Sequence, residues 1–426
     1  ALPGESFTEA GRDMAESEKA AKYLQDAGYD MLNCDNGTYD AWYWAHPPIY
    51  MPENCNLEDV AHIRKFVDIP VVCAGRMDPE TAAAAIADGR IDGAGFARQF
   101  LADQEWVTKL MNDKEDDIRP CILCHNGCFN MCHYKGVPND QALSDSLHLA
   151  RCAVNAETMQ WEKHKIVPTT SPKKVHIIGG GIGGMEAARV LKLRGHEPVI
   201  HEQTDHLGGT FIAASAESYK GKLRDLLTWY RKQMADLGIE IHYNEKVESI
   251  APFAGAPIIS ATGAVPRVLK KVPGHEKMVE ACEYLTGTPV GEKVAVIGGG
   301  LTGCEIAYEL ALQGRQPVIV EMKKDLIAQT GVCLANSSYL REWFAWKKVP
   351  VYLETTLQEV KDDSIVCKDA SGKEITIPCD SVISSAGYIP NPLAPKGSNV
   401  NLVGDCDGVG NLRSVVWRAY EVAMKI

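Results

Sequence analysis

The chain has 426 residues, of which 45% are hydrophobic and 23% are charged, the composition of a globular protein with two to four domains. Its formal net charge of −12 argues against nucleic acid or an anionic membrane as a partner. The sequence has no apolar run long enough for a transmembrane helix and no signal-peptide pattern at its start, so we predict a cytoplasmic location.

Residues 1–115 repeat a helical segment followed by a short strand three times. The strands are predicted near 29–34, 69–73 and 91–97, and polar residues follow each of them. This alternation is typical of a (β/α) barrel. Three units cannot close a barrel of eight strands. We therefore predict an α/β fold that begins with the C-terminal part of a (β/α)8 barrel, whose N-terminal half is absent from this sequence.

Residues 116–165 are rich in cysteine. Three cysteines have the spacing C-x2-C-x3-C and two more follow them, giving the set Cys121, Cys124, Cys128, Cys132 and Cys152. Zinc sites usually pair two C-x-x-C units, whereas a 4Fe–4S cluster accepts a compact run plus one distant cysteine. We predict the iron–sulfur cluster, with zinc or no metal as alternatives. Spacing leaves Cys132 and Cys152 open as the fourth ligand, and His125 and His133 are expected to be hydrogen-bonding or surface groups.

The second half of the chain contains an internal repeat, residues 173–202 and 292–321. Each copy is predicted to be a strand, a G-x-G-x-x-G turn, a helix and a second strand that ends in glutamate. The glycines are Gly179, Gly181, Gly184, Gly298, Gly300 and Gly303. They permit a tight turn, close approach of a pyrophosphate and close packing of the helix, while Glu202 and Glu321 are positioned for ribose hydroxyls. We predict two dinucleotide sites, against the alternative of two turns without ligands.

The order of the later motifs resembles the two-dinucleotide-binding flavoprotein family, in which a nicotinamide domain is inserted into an FAD domain. The segments "ATG" (261–263), "SAG" (385–387) and "GDCDGVGN" (404–411) carry this resemblance. It implies an FAD-binding domain at 172–287 and 380–426 and an NAD(P)H-binding domain at 288–379. It also implies FAD contacts at Gly209, Gly263, Gly404 and Asp405. Glu321 would repel a 2′-phosphate, so NADH is favoured over NADPH.

The whole chain resembles the C-terminal two-thirds of the 2,4-dienoyl-CoA reductase and 2-enoate reductase family. The resemblance rests on C-x2-C-x3-C, on "CAVN" (152–155), and on "GTYDAWYWAHPP" (37–48), which is similar to bile-acid and steroid enoate reductases of anaerobic bacteria. It implies that Cys152 is the fourth cluster ligand and that FMN binds at Gly75, Arg76, Ala97 and Arg98. Tyr39 or His46 would donate the proton, or these residues with Trp42 and its neighbours would simply wall the pocket.

The predicted activity is NADH-dependent reduction of a C=C bond conjugated to a carbonyl, or the reverse desaturation. The resemblance implies that electrons pass from NADH to FAD, the 4Fe–4S cluster, FMN and the substrate. An enoate, an enoyl-CoA or a steroid-like molecule is the expected substrate, and a homo-oligomer is possible. The alternatives are an amine dehydrogenase that uses an electron-transfer flavoprotein, and an NADH-oxidising electron-transfer module.

Overall fold

The structure is a computed structural model and describes residues 12–38, 41–132, 150–329 and 331–426, with the side chain of Cys132 excluded. Within these ranges, no helix combines the length and the apolar character needed to cross a membrane. The α-helices span Met14–Asp26, Trp42–Ala45, Leu57–Ile63, Pro79–Ala87, Arg98–Ala102, Trp106–Leu110, Phe129–Cys132, Trp161–His164, Ile182–Leu193, Phe211–Ala214, Gly221–Asp236, Ala281–Leu285, Leu301–Leu312, Leu334–Lys347 and Leu412–Lys425.

The first part of the chain forms a three-stranded parallel sheet. Its strands, in spatial order, are Leu32–Cys34, Val71–Ala74 and Gly93–Gly95. Helices precede and follow the central strand, and the helix Pro79–Ala87 begins where Asp78 accepts a hydrogen bond from the backbone of Thr81. The predicted strands and the barrel-like alternation are therefore confirmed.

Two five-stranded parallel sheets follow, as the repeated glycine motif predicts. The first has the spatial order Asn401–Leu402, Ile258–Ser260, Lys174–Ile178, Glu197–His201 and Glu240–His242. The second has the order Val351–Tyr352, Gln316–Val320, Lys293–Ile297, Ser381–Ser384 and Val279–Glu280. Most of their central residues are fully buried, as expected for parallel sheets covered on both faces. The Rossmann-like fold class is confirmed.

The second sheet is larger than the sequence indicates. The strands Val279–Glu280 and Ser381–Ser384 belong to it, although the predicted limits of 288–379 would leave both in the FAD domain. A separate antiparallel sheet adds Thr356–Val360, Ser364–Lys368 and Glu374–Pro378. The chain crosses between the two Rossmann-like units at an antiparallel pair, Ala264–Pro266 with Tyr388–Pro390. The second Rossmann-like unit therefore extends beyond the predicted limits of 288–379 at both ends, to include Val279–Glu280 and Ser381–Ser384.

A buried polar network joins three parts of the chain. Lys220 donates to Glu305 Oε2 at 2.8 Å and to Glu217 Oε1 at 3.1 Å, and Tyr50 donates to Glu305 Oε1 at 2.7 Å. Tyr50 comes from the loop that follows the first barrel strand, whereas Glu305 lies in the helix of the second glycine motif. The network therefore fixes the barrel segment and the two nucleotide-binding units against one another.

Glu217 gives this network a pH dependence. Burial raises the pKa of its carboxyl from 4.5 to about 7, and Lys220 opposes the rise. The folded state keeps this proton to a higher pH than the unfolded chain does, so the contribution to stability declines as pH rises from 4.5 to about 7. We expect Glu217→Gln to reduce this decline by about 2–3 kcal/mol, measured by urea unfolding at both ends of the range. The exposed Glu276→Gln is the control, and equal pH profiles for both variants would contradict the expectation.

Candidate functional site

The first glycine turn is built for close backbone contact. Gly179 has φ +107°, and a Cβ on it would lie 2.5 Å from the carbonyl oxygen of Ala261. A Cβ on Gly184 would lie 2.0 Å from the carbonyl oxygen of Gly179, so the helix Ile182–Leu193 packs directly onto the turn. Gly181 has open space where its Cβ would be. The turn therefore has a closed side against the sheet and an open side at the start of the helix.

The acidic residues after the second strands hold these turns. Glu202 is buried, and its Oε2 accepts the N–H of Gly180 at 2.7 Å while its Oε1 accepts the N–H and the hydroxyl of Thr204, both at 2.8 Å. Glu321 repeats the arrangement, accepting the N–H of Gly299 at 2.6 Å. Both carboxylates thus stand at the mouth of a glycine turn, fixed by backbone donors.

The C-terminal Gly-Asp motif lies beside the first turn. A Cβ on Gly183 would lie 3.8 Å from the Cα of Gly404, and a Cβ on Gly209 would lie 3.3 Å from the Cα of Gly181. Asp405 accepts the N–H of Gly410 at 3.1 Å, and burial raises the pKa of its carboxyl. These predicted FAD contacts surround one turn. Gly263 has φ +67° and lies at the crossover instead, where its carbonyl accepts the N–H of Asn391 at 3.0 Å.

Two glycines of the first turn are expected to respond differently to alanine. Gly184→Ala should destabilise the protein by about 1–3 kcal/mol and also release FAD, because its methyl group would collide with Gly179. Gly181→Ala is the matched variant: its methyl group meets no protein atom, so the melting temperature of the FAD-free protein should not change while bound FAD falls. Thermal unfolding and FAD content measure both effects. Equal unfolding of both variants would contradict this reading.

The second turn repeats the first with one addition. A Cβ on Gly298 would lie 2.3 Å from the carbonyl oxygen of Ser385, and one on Gly303 would lie 1.9 Å from that of Gly298. At the open position, Gln329 Oε1 lies 3.1 Å from where the Cβ of Gly300 would be, and it accepts the N–H of Leu301 at 3.3 Å. The sequence offers no signal for Gln329, because it lies outside the motif.

Four cysteines line one cavity. The residues that line it include Cys121, Cys124, Cys128 and Cys152. Gly127 brings the two chain segments together, since a Cβ on it would lie 2.5 Å from the backbone nitrogen of Ala153. The side chain of Cys132 is outside the described part of the chain, as is His133. Among the described thiols, the structure therefore groups the four that the resemblance implies.

The environment of these thiols favours a bound cation. Burial raises the pKa of Cys128 to about 11 and that of Cys152 to about 12, and neighbouring thiols add to both shifts. Each of three thiols also accepts a hydrogen bond from a backbone N–H group one or two residues later in the chain, and this bond lowers the thiol pKa. The donors are Asn126 for Cys124, Phe129 for Cys128 and Val154 for Cys152. Four thiolates in so small an apolar cavity would repel one another unless metal ions balanced their charge. The donor set therefore fits a thiolate-bound metal cluster.

Two arginines border the cluster segment from different domains. Arg98, at the end of the last barrel strand, lines the cavity itself. Arg413, in the C-terminal helix that packs beside the first glycine turn, is 1% exposed and donates to the carbonyl of Asn126 at 3.4 Å. Burial lowers its pKa to about 10, and the nearby Cys124 opposes that change. Arg413 was not found from the sequence, because no motif there marks it.

His125 connects the cavity to two other elements. Its Nε2 lies 2.6 Å from Arg98 Nη1 and its Nδ1 lies 2.8 Å from Asn336 Oδ1. Arginine only donates, so Nε2 accepts and Nδ1 carries the proton that it donates to Asn336. Burial holds the pKa of His125 well below its usual value, and the Arg98 charge adds to this effect. The imidazole is therefore neutral, and its Nε2 lone pair is engaged by Arg98.

The candidate FMN residues lie at the strand ends. Gly75 has φ +128°, and its Cβ would lie 2.3 Å from Asn56 Nδ2. Arg76 donates to backbone carbonyls of the loop 48–51, including that of Ile49 at 3.0 Å, and Arg98 donates to that of Pro47 at 2.8 Å. Ala97 is exposed and is the N-cap residue of the helix Arg98–Ala102. Both guanidinium groups thus hold the loop that carries the candidate catalytic residues.

Side chains of the loop that follows the first barrel strand contact two different parts of the molecule. His46 lies against Phe129 of the cluster segment, with ring centroids 3.6 Å apart, and stacks on Trp42 at 5.6 Å. Tyr43 instead donates to Glu342 of the second nucleotide unit at 2.6 Å and is 1% exposed. Tyr39, the other candidate proton donor, lies outside the described residues. This aromatic loop, residues 41–50, therefore packs against both the cluster segment and the second nucleotide unit.

Comparison with known proteins gives two family matches. Residues 173–406 match the family model of pyridine nucleotide-disulphide oxidoreductases, and residues 2–117 match the NADH:flavin oxidoreductase / NADH oxidase family. The chain is 38% identical to cinnamate reductase of Clostridium sporogenes, aligned over 100% of this chain and 63% of that protein. It is 30% identical to NADH oxidase of Thermoanaerobacter brockii, over 99% of this chain and 65% of that protein.

Among solved structures, 2-naphthoyl-CoA reductase in complex with 2-naphthoyl-CoA superposes with a TM-score of 0.83 at 26% identity. The match covers 98% of this chain and 63% of that one. The chain therefore spans less than two-thirds of the length of these relatives.

Proposed function

We propose that this chain, which belongs to the pyridine nucleotide-disulphide oxidoreductase family, is the cofactor-binding part of an NADH-dependent ene-reductase. Its first part matches the NADH:flavin oxidoreductase family, and the two parts are joined as in enoate-reductase-like enzymes. The reaction is reduction of a C=C bond conjugated to a carbonyl. When bound, FAD, a 4Fe–4S cluster and FMN supply hydride and single-electron transfer between NADH and the substrate.

One observation carries this proposal: the position of the thiol cavity. It borders Arg98 at the barrel strand end, and Arg413 of the C-terminal FAD-side helix lies beside Cys124. A metal cluster in this cavity would therefore lie between the FMN side and the FAD side of the molecule. Such a position suits an electron carrier better than a purely structural metal, which needs no redox partner on either side.

The residues have the following proposed roles. Cys121, Cys124, Cys128 and Cys152 hold the cluster, and the first glycine turn with Glu202 and Asp405 holds FAD. The second turn with Glu321 holds NADH, and the Glu321 carboxylate disfavours NADPH by repulsion of a 2′-phosphate. Gly75, Arg76, Ala97 and Arg98 contribute the FMN phosphate contacts. His46 or Tyr39 delivers the proton to the substrate carbon.

We propose an α,β-unsaturated carboxylate or its CoA thioester as substrate. Cinnamate is the first compound to assay, given the similarity to cinnamate reductase. A cytoplasmic location is proposed because the cysteines whose side chains are described are free thiols, as expected in a reducing compartment.

The deciding experiment is anaerobic mixing of the holoenzyme with NADH, followed by addition of cinnamate. We expect the flavin absorbance to bleach with NADH and to recover with cinnamate. Chemical analysis should find FMN, FAD and about four iron atoms per chain. If NADH does not bleach the flavin, or if zinc occupies the cysteine cavity in place of iron, the proposal is wrong. Bleaching without recovery on any enoate would indicate an electron-transfer module.

A further inference from the structure

A cluster of histidine and glutamate side chains lies on the first Rossmann-like sheet, outside the thiol cavity. His201 and His242 are the last residues of neighbouring parallel strands and are directly paired, and Glu245 lies in the loop that follows. One ligand atom from each of these three residues lies within 4.8 Å of the others. None of the three belongs to the cofactor contacts proposed above. We call them the His-His-Glu cluster.

The buried member of the cluster has an unsatisfied nitrogen. The side chain of His201 is 4% exposed, and its Nδ1 lies 3.0 Å from Glu245 Oε1 but forms no well-directed hydrogen bond with it. On the other side of the ring, Nε2 lies 2.9 Å from Nδ1 of His176. When Nε2 donates its proton to His176, Nδ1 presents a lone pair to the carboxylate. In that tautomer two acceptor atoms face each other, and a proton or a metal ion between them removes their repulsion.

The other two members of the cluster, His242 and Glu245, form an ion pair when His242 is protonated. Glu245 Oε2 lies 2.9 Å from His242 Nδ1, so the two oxygens of Glu245 face two imidazoles at once. His242 Nε2 lies 2.8 Å from Glu240 Oε1. A ligand nitrogen of His242 therefore has a proton that a metal ion would displace, and the hydrogen bond to Glu240 fixes the ring from behind. This is the arrangement of a metal ligand with its supporting carboxylate.

We propose that His201, His242 and Glu245 bind a divalent transition-metal ion of the Zn²⁺ class. Imidazole nitrogens and a carboxylate are ligands that Zn²⁺ accepts, and a tetrahedral site with bonds of about 2.0–2.1 Å places ligand atoms roughly 3.4 Å apart. Glu245 Oε1 lies 3.0 Å from His201 Nδ1 and Glu245 Oε2 lies 2.9 Å from His242 Nδ1, and binding would draw the three ligand atoms, now within 4.8 Å of one another, around one ion. The metal replaces the proton on His242 Nδ1, which leaves to solvent, and the fourth position is open to water.

The backbone around the cluster shows what an ion there would stabilise. The N–H of Glu202 donates to the carbonyl of His242 at 2.9 Å, and the N–H of Glu245 donates to the carbonyl of Glu202 at 2.8 Å. An ion held by the cluster would thus tie the strand ends on both sides of Glu202. Such an ion would stabilise these strand ends whether or not Glu202 contacts FAD.

The test is zinc binding by the iron-loaded holoenzyme. Wild type, His242→Ala and His206→Ala are equilibrated with Zn²⁺, dialysed, and analysed for zinc and iron per chain. We expect wild type and His206→Ala to retain one more zinc ion than His242→Ala, at unchanged iron. His206 is the matched control, because it is an exposed histidine nearby that pairs with Asp205. Equal zinc in all three proteins, or equal loss in both variants, would overturn the proposal.

Two further measurements keep the result interpretable. Zn²⁺ should raise the melting temperature of wild type and His206→Ala but not of His242→Ala, whose side chain is 44% exposed and whose removal should leave the fold intact. His176→Ala should weaken zinc binding by about 10–100-fold, measured by competition with a chromophoric chelator, because it removes the partner that orients His201. Zinc affinity unchanged in His176→Ala would contradict the proposed ligand geometry.

Discussion

Replacing Lys220 by methionine is expected to lower the free energy of unfolding by about 3–5 kcal/mol. The ammonium group is 7% exposed and lies between the carboxylates of Glu305 and Glu217. Methionine fills a similar volume but leaves the buried Glu305 carboxylate with the Tyr50 hydroxyl and without the ammonium group that balances its charge. An uncompensated buried charge costs far more than the loss of an exposed ion pair. Urea unfolding of the holoenzyme measures the effect.

The neighbouring Lys222 provides the control. Its side chain is 43% exposed and pairs with Asp225 at 3.6 Å, so Lys222→Met should change stability by less than about 0.5 kcal/mol. A second control removes the stranded charge: Lys220→Met combined with Glu305→Gln should recover most of the loss. If the double variant is no more stable than Lys220→Met, the charge is not the cause.

Replacing Cys152 by serine is expected to reduce bound iron from about four atoms per chain to nearly none. Cys152 is one of the four cysteines that line the cavity, and a serine hydroxyl does not replace a thiolate for iron. Cys132→Ser is the matched variant and should retain its iron. Iron content and the visible spectrum measure the effect without reference to turnover.

The same variant separates two parts of the proposed function. Cys152→Ser should lose NADH-driven enoate reduction, while NADH should still bleach the FAD, because no residue of either glycine turn is among those that line the thiol cavity. Loss of iron in Cys132→Ser with retention in Cys152→Ser would reverse the ligand assignment. Loss of FAD bleaching in Cys152→Ser would show that the substitution unfolds the FAD unit as well.

The features that were predictable from the sequence are those that depend on residues close to one another in the chain. The glycine turns follow from residues three to five positions apart, and the parallel strands follow from apolar runs. Cys152 was a harder case, since its distance from Cys128 is unusual and only the "CAVN" context selected it. In the structure, Gly127 explains that choice by allowing the two segments to touch. A contact of this kind leaves no periodic signal in the sequence.

The features that were not predictable depend on contacts between distant segments. Tyr43, a neighbour of Trp42, was one of the residues considered as a pocket wall, yet it hydrogen-bonds Glu342 of the second nucleotide unit. Tyr50, which no pattern marked, hydrogen-bonds Glu305 of the same unit. The limits of that unit were also misjudged, because Val279–Glu280 is only two residues long and is a strand by virtue of its pairing with Ser381–Ser384. Propensity over two residues carries too little information to place a domain boundary.

The division of the aromatic loop has a thermodynamic consequence. One end of the loop, at His46, contacts the cluster segment, and the other end, at Tyr43 and Tyr50, is hydrogen-bonded to the nicotinamide side. If a substrate that shifts this loop changes the affinity for NADH, NADH changes the affinity for that substrate by the same factor. In that case the two ligands would be reciprocal effectors through the loop, without direct contact between them.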